Sequence, residues 1–229
     1  MAKYIEGDIH DVIKTLETSS IDLIYTNPPF GTTENKWDKS LNWDKLWLDI
    51  WRVLKPNGVV VIHASKPFSY QLIKSQTPKY NYNWIKTKPT NFLKAKIQPL
   101  RKVEEIFIFY KKKHTYNPQM VGNEKRMTGS SSPTTYYGNR LKKQTDATFH
   151  IGKYPTDVLE FKQVVRGGKT ICDDMIDFFI KTYSNENDLV LDMTTHNDVV
   201  GNRVTALKRK FIGVDINLPN LADFEKKLK

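Results

Sequence analysis

Asn27-Pro28-Pro29-Phe30 follows an apolar run, Ile21 to Thr26, and carries the residue types best suited to chemistry. Pro29 removes a donor and stiffens the turn, so the Asn27 amide oxygen and the Pro28 carbonyl act as two acceptors converging on one point. Two acceptors at one point suit an NH2 group. The adjacent Phe30 ring suits a flat face such as that of a base. On local sequence alone, a Pro-rich turn capped by an aromatic accounts for these residues equally well.

Asp8, Asp192 and Asp215 each follow a short apolar run that reads as a strand. In parallel α/β sheets, ligands bind beyond the carboxyl ends of strands. Asp215 lies 23 residues after Asp192, across a strand, loop, helix and strand. A dinucleotide fold places an acid on ribose hydroxyls at about that distance. Any one of these acids, taken alone, is as well explained as a helix cap.

Charge is the third signal. The chain has a formal net charge of +11 over 229 residues. Of its 36 Lys and Arg, 14 fall between Trp84 and Lys143, against 3 of its 25 acids, which leaves 22 of each sign elsewhere. Aromatics interleave with these charges in "NYNWIKTKPTNFLKAK". A solvated lysine face is the plain alternative, but this mixture favours a nucleic-acid partner. The candidate contacts are Lys86, Lys88, Lys94, Lys96, Arg101, Lys102, Arg126, Arg140, Lys142 and Lys143.

The elements that must position these residues follow from the hydrophobic pattern. Lys3 to Gly7, "SIDLIYT", "VVVIHAS", "EEIFIFYKKK", "DLVLD" and "FIGVD" read as strands. Several are continuous apolar runs of the kind buried on both faces of a parallel sheet. "IHDVIKTLET", "LNWDKLWLDIWRVLKPNG", "DDMIDFFIKTYS" and "NRVTALKRK" read as helices, the second ended by Pro56-Asn57-Gly58. Trp43, Trp47 and Trp51 share one helix face and are expected in the core. From His114 to about Gly168 the pattern fades into turn and linker composition. The alternation predicts an α/β fold with a mostly parallel sheet. The lone Cys172 excludes an internal disulfide, no metal-ligand spacing occurs, and no apolar run is long enough to span a bilayer. No metal site and no membrane partner are expected, and the bulk features point to a cytoplasmic or host-cell intracellular protein.

"NPPF" resembles the catalytic motif of amino-methyltransferases, which runs Asp, Asn or Ser, then Pro-Pro, then Tyr, Phe or Trp. The order of segments is similar to that of the beta-class DNA amino-methyltransferases: catalytic motif, basic variable region, then "DLVLD". "YIEGD" resembles the family segment whose acid faces the cofactor adenine, "NFLKAKIQPLRKVEEIFIFYKK" the segment after the catalytic strands, and "FIGVD" the strand whose acid holds the cofactor ribose. The resemblance covers nearly the whole chain apart from about His114 to Gly168.

This resemblance implies a Rossmann-like sheet with helices on both faces and a basic target-recognition insertion. Residues 1–113 would form the catalytic half, 114–168 the insertion and 169–229 the cofactor half. It implies S-adenosylmethionine as methyl donor, S-adenosylhomocysteine as product, and a base flipped out of duplex DNA. Asn27, Pro28, Pro29 and Phe30 would hold that base. Asp8, Ile9 and Asp215 would face the adenosine, and Asp192, Met193, Thr194, His196, Asn197 and Asp198 would form the cofactor loop. A homodimer or a partner methyltransferase subunit is also implied.

The chain departs from the family in two places. The family loop D-P-F-x-G-S-G-T-T is replaced by "DMTTHNDVVG", with His196 and Asp198 where glycines stand. Glycines permit positive φ and close backbone approach. The stretch H-P-T-x-K-P is replaced by "GGKTICDD". One reading is a subgroup that holds the methionine end differently, with Thr170 and the following helix N-terminus on the carboxylate and Asp192 or Asp198 on the ammonium. The other is a pseudo-methyltransferase that keeps only DNA binding. The intact catalytic motif favours the first. Adenine N6 is the expected target, since Asn rather than Ser opens the motif. Cytosine N4 is the near alternative, and a protein glutamine amide a more distant one.

Overall fold

The computed structural model describes residues 2–36, 38–128, 148–166, 169–196 and 199–218. They form two compact units, Met1–Asn117 with Asp157–Lys229, and Pro118–Thr156. The second unit contains the antiparallel pair β6 (Val121–Thr128) and β7 (Thr148–Lys153).

The first unit is built on an eight-stranded sheet. In chain order its strands are β1 (Ala2–Glu6), β2 (Ile21–Thr26), β3 (Leu54–Ala64), β4 (Tyr80–Thr90), β5 (Arg101–Phe109), β8 (Val158–Leu159), β11 (Leu189–Asp192) and β12 (Lys210–Asp215). Their spatial order is β1-β12-β11-β2-β3-β5-β4-β8. The neighbours from β1 to β3 are parallel; β5 runs antiparallel to both β3 and β4. A short hairpin, β9 (Val164–Arg166) and β10 (Lys169–Ile171), precedes α4 (Asp173–Tyr183). The other helices are α1 (Ile9–Thr15), α2 (Trp43–Val53), α3 (Phe68–Ser75) and α5 (Val199–Ala206).

The α/β expectation holds, and its cause is visible in the central strands. Val60, Ile62 and Ala64 of β3 enter one core with α1, α2 and α3; Val59 and Val61 enter the other with α4 and α5. Alternating side chains are buried on both faces, so the sequence shows a continuous apolar run. Trp43 and Trp47 are buried in the first core and Trp51 packs against it.

Three local expectations need correcting. Helix α2 stops at Val53, not at Pro56-Asn57-Gly58, because Leu54 turns extended and pairs with Ile21. The pairing then shifts register before Leu23 meets Val59. A Cβ on Gly58 would lie 2.9 Å from the Asp22 carbonyl, so only glycine lets the shifted strand pass so close. The segment "NYNWIKTKPT", which the apolar pattern left without an element, is strand β4; it alternates between the second core and solvent at the sheet's antiparallel end. Helix α5 begins at Val199, before "NRVTALKRK", and ends at Ala206, with Lys208 just beyond at φ 62°.

The chain leaves β11 toward β12 on one side, while β2 and β3 lie on the other. The carboxyl ends of β11 and β2 therefore flank a topological switch point, where such folds open a crevice for ligands.

Candidate active site

β2 delivers the motif to this edge. Thr26 is fully buried, Asn27 emerges into solvent, and Pro28 is buried again. Phe30 is half-buried and stacks on Phe68 at 5.3 Å between ring centroids, with 14° between planes. Phe68 opens α3 and is completely buried. One face of Phe30 thus rests on the core.

The loop after Phe30 is held by a residue the sequence reading did not single out. Asp38 is buried, and its carboxylate accepts hydrogen bonds from the backbone N–H groups of Gly31, Thr32 and Thr33 and from the Thr33 hydroxyl, at 2.7–2.9 Å. Burial alone would raise its pKa, but these donors outweigh burial and hold the carboxyl below its ordinary range. Gly31 sits at φ +64°, the left-handed region that lets the loop fold back on the acid.

Asp192 and Asp215 end β11 and β12, and Asp8 stands two residues beyond β1, the next strand in the sheet. Asp8 is the N-cap of α1 and accepts from the backbone N–H of His10 at 2.8 Å. That bond, with a second contact to the His10 ring, lowers its pKa. The helix-cap reading is therefore realised at Asp8, with Ile9 buried behind it. Asp215 accepts from the backbone N–H groups of His196 and Asn217, both at 2.9 Å. Asp192 is buried and accepts from Thr194 N–H at 3.2 Å. Burial pushes its carboxyl up to about 7, against the pull of the Thr194 N–H and the Thr26 hydroxyl, and the nearby Asp215 charge adds to the rise.

The rewritten cofactor loop is tied down on both sides. The Thr194 hydroxyl lies 3.0 Å from that of Thr26, immediately before Asn27. Thr195 N–H donates to the Val214 carbonyl at 2.9 Å. Met193 is buried in the first core. His196 adopts φ 38°, so a histidine takes the left-handed turn that glycine usually supplies. Gly201 does keep a packing role: a Cβ there would lie 2.3 Å from the Tyr4 hydroxyl oxygen. Asn197 and Asp198 lie outside the described residues. Thr170 is in β10. The first turn of α4 carries Asp173 and Asp174, which oppose an anion at that helix N-terminus.

The basic residues divide. Lys88, Lys94, Lys96 and Lys102 are exposed. Arg101 reaches back to the Ser65 hydroxyl at 3.0 Å. Arg126, in the second unit, is exposed and paired with Glu124 at 2.8 Å. Arg140, Lys142 and Lys143 lie outside the described residues. Lys86 requires a correction: it points inward, and its ammonium is ion-paired with the buried Glu104. The other Glu104 oxygen lies 2.8 Å from His63 Nδ1, and His63 Nε2 lies 2.9 Å from the Tyr25 hydroxyl. Those hydrogen bonds outweigh the burial of Glu104 and hold its pKa low. The available signal was a histidine inside the apolar run "VVVIHAS" and the acids Glu104 and Glu105 just before "IFIF".

Comparison with known proteins adds the family. The Type II methyltransferase M.HpaI of Haemophilus parainfluenzae is 28% identical over 228 residues, covering 90% of this chain and 67% of that protein. The DNA adenine methyltransferase YhdJ of Escherichia coli is 27% identical over 239 residues, covering 93% of this chain and 78% of that one. The structure of the cytosine-N4-specific PvuII DNA methyltransferase superposes with a TM-score of 0.64 at 16% identity, covering 98% and 89% of the two chains, a likeness of fold. The family model described as "DNA methylase" matches residues 21–225, so the chain belongs to that family, the S-adenosylmethionine-dependent DNA amino-methyltransferases of N6 and N4 type.

Proposed function

We propose that this protein methylates the N6 amino group of an adenine turned out of duplex DNA. The observation that carries the reading is the position of Asn27. It stands exposed at the end of β2, beside the half-covered ring of Phe30 and next to Thr26, which touches Thr194 of the acid-lined edge.

The residues at that edge suit S-adenosylmethionine. Asp192 is a buried carboxyl with a raised pKa, surrounded by threonine hydroxyls and a second acid. Such a group gains most from a ligand that brings an ammonium. Asp192 with Thr194 would hold the methionine end; Asp215, Asp8 and Ile9 would hold the adenosine end. When bound, the cofactor supplies a methyl group activated on a sulfonium.

The chain's own part is positioning. The Asn27 side-chain oxygen and the Pro28 carbonyl accept the two amino hydrogens of the base, which turns the nitrogen lone pair out of ring conjugation. Phe30 stacks on the base from the side opposite Phe68. The nitrogen lone pair so exposed would take the methyl group from the bound sulfonium, which would leave as a thioether, and the extra proton on nitrogen would then pass to solvent. No strong base is required, so an amide serves at position 27. Lys88, Lys94, Lys96 and Lys102, with Arg126 of the second unit, would neutralise phosphates. The segment 114–168 would read the target, between a catalytic half (1–113) and a cofactor half (169–229). A DNA substrate fits work in the cytoplasm or inside a host cell.

The test is incubation with labelled S-adenosylmethionine and mixed duplex DNA, followed by digestion to nucleosides. N6-methyladenine is the expected product. N4-methylcytosine would move the target to cytosine. No binding of the cofactor, with or without DNA, would make the chain a DNA-binding pseudoenzyme.

A further inference from the structure

β4 and β5 form an antiparallel pair whose connection, residues 91–100, projects at the same sheet edge as Asn27. The strand register fixes this: Ala64, at the carboxyl end of β3, pairs with Glu105, and Arg101 pairs with Thr90. β3 is parallel to β2, so β2 ends at that edge as well. Two contacts tie the base of the connection to the motif. Arg101 donates to Ser65, and Ser65 leads directly into Phe68, on which Phe30 stacks.

The connection is ordered by its own backbone. Asn91 takes φ 74°, and a 3-10 turn, Phe92–Lys94, follows. Ala95 N–H donates to the Phe92 carbonyl at 3.1 Å and Ile97 N–H to the Lys94 carbonyl at 3.0 Å. This turn holds three large apolar side chains out in solvent: Phe92 is 63% exposed, Leu93 103% and Ile97 81%. Single exposed apolar residues are ordinary, but three on one short ordered tip mark a contact surface. Lys94 and Lys96 lie between them and Lys88 and Lys102 flank them, all exposed. An apolar point ringed by cations matches a stacked polyanion, whose interior is flat and apolar and whose rim is phosphate.

We propose that this tip is a wedge for duplex DNA: Phe92, Leu93 and Ile97 enter the base stack while the surrounding lysines grip phosphates. Apolar side chains inserted between base steps offset the unstacking that base extrusion demands. The proposal rests on the reading of the chain as a DNA methyltransferase and adds how the duplex is opened. The wedge would fill the gap that the extruded base leaves, at the edge where Asn27 and Phe30 receive it.

The test does not need the target sequence. Fluorescent 30-base-pair duplexes, intact or with one abasic site, are titrated with the full-length protein and with the triple variant Phe92→Ala, Leu93→Ala, Ile97→Ala. A wedge prefers a duplex that already contains a hole, so the wild type should bind the abasic duplex about tenfold tighter than the intact one. The triple variant should lose that preference while its affinity for intact DNA changes less than about threefold. Lys94→Ala with Lys96→Ala should weaken both duplexes equally. Equal binding of both duplexes by the wild type, or an unchanged preference in the triple variant, would overturn the wedge. So would vesicles of phosphatidylglycerol that bind the wild type and not the triple variant, with DNA binding unaffected. Absence of methyl transfer in the same preparations, with the abasic preference intact, would overturn the methyltransferase reading and leave the wedge standing.

Discussion

The hydroxyl oxygens of Thr26 and Thr194 lie 3.0 Å apart, although 168 residues separate them in the chain. This contact joins the strand that carries Asn27 to the loop that follows Asp192. It spans the switch point of the sheet, so it fixes the acceptor pair relative to the acid-lined edge. Thr194→Val keeps the shape and removes the bond. The expected cost in stability is about 1 kcal/mol. Methyl transfer should fall about tenfold, because misplacement of a reacting pair is costly where catalysis is positioning. DNA affinity should not change. Single-turnover transfer alongside a DNA titration checks this; an unchanged transfer rate removes the alignment role from Thr194.

Asp192 gives the protein a specific pH dependence. Its carboxyl sits at about 7 in the folded chain, against an ordinary value of 3.8, chiefly through burial, with the Asp215 charge adding to it. The folded state therefore holds a proton that the unfolded state releases between about pH 4 and 7. Stability falls as pH rises through that window, by roughly 4 kcal/mol in full. Asp192→Asn should flatten this slope in denaturant melts at pH 5 to 8. Binding of a cationic ammonium favours the ionised carboxylate, so wild-type affinity for S-adenosylmethionine should rise from pH 5.5 to 7.5. Calorimetric titration of Asp192→Asn should show a weaker, flatter profile, and an identical profile in the two proteins would remove Asp192 from the cofactor.

Much of the fold was legible because its central strands are apolar on both faces. "SIDLIYT" and "VVVIHAS" admit few other readings, and the acids after "DLVL" and "FIGV" stand at adjoining strand ends. β4 was not legible, since a strand half in solvent carries Asn, Lys and Thr like a loop. Asp38 was hidden for another reason: its partners are backbone N–H groups, which leave no pattern in side chains. His63 and Glu104 were hidden by distance, 41 residues apart in sequence. Charge counting alone placed Lys86 on the surface, whereas its partner across the β4–β5 pair turns it inward.

Lys86 and Lys94 should therefore behave differently, although composition makes them equivalent. Lys86→Met should leave DNA affinity and its salt dependence unchanged, since the Lys86 charge is already matched by Glu104. Lys94→Ala should reduce the slope of log K against log salt by about 0.9. Glu104→Gln leaves Lys86 buried without a counter-charge and should destabilise the fold by about 3 kcal/mol. The stability from Glu104 is present above the ordinary Glu pKa and lost as pH falls through its depressed folded value. Thermal melts from pH 3 to 7 would show the acid-side loss in wild type and its absence in Glu104→Gln. A loss of salt slope in Lys86→Met would return that residue to the DNA surface.

Phe30 and Phe68 form one stack with two different duties. Phe68 is completely buried between Phe30 and Trp43, so Phe68→Ala opens a cavity and should cost about 3–5 kcal/mol of stability. Phe30 is half-buried, so Phe30→Ala should cost less stability. Its larger effect falls on the extruded base, where a lost stacking contact is worth about 1–3 kcal/mol, or roughly a 5- to 150-fold drop in kcat/KM. Asn27→Ala removes the acceptor itself, from an exposed side chain with no hydrogen-bond partner among the described residues. It should abolish transfer while folding and DNA affinity hold. Asn27→Asp keeps an acceptor oxygen in place and should retain measurable transfer. Melting curves and single-turnover rates on these four variants separate support from chemistry. A Phe30→Ala protein with wild-type kcat/KM would mean that the exposed face of the ring is not where the base rests.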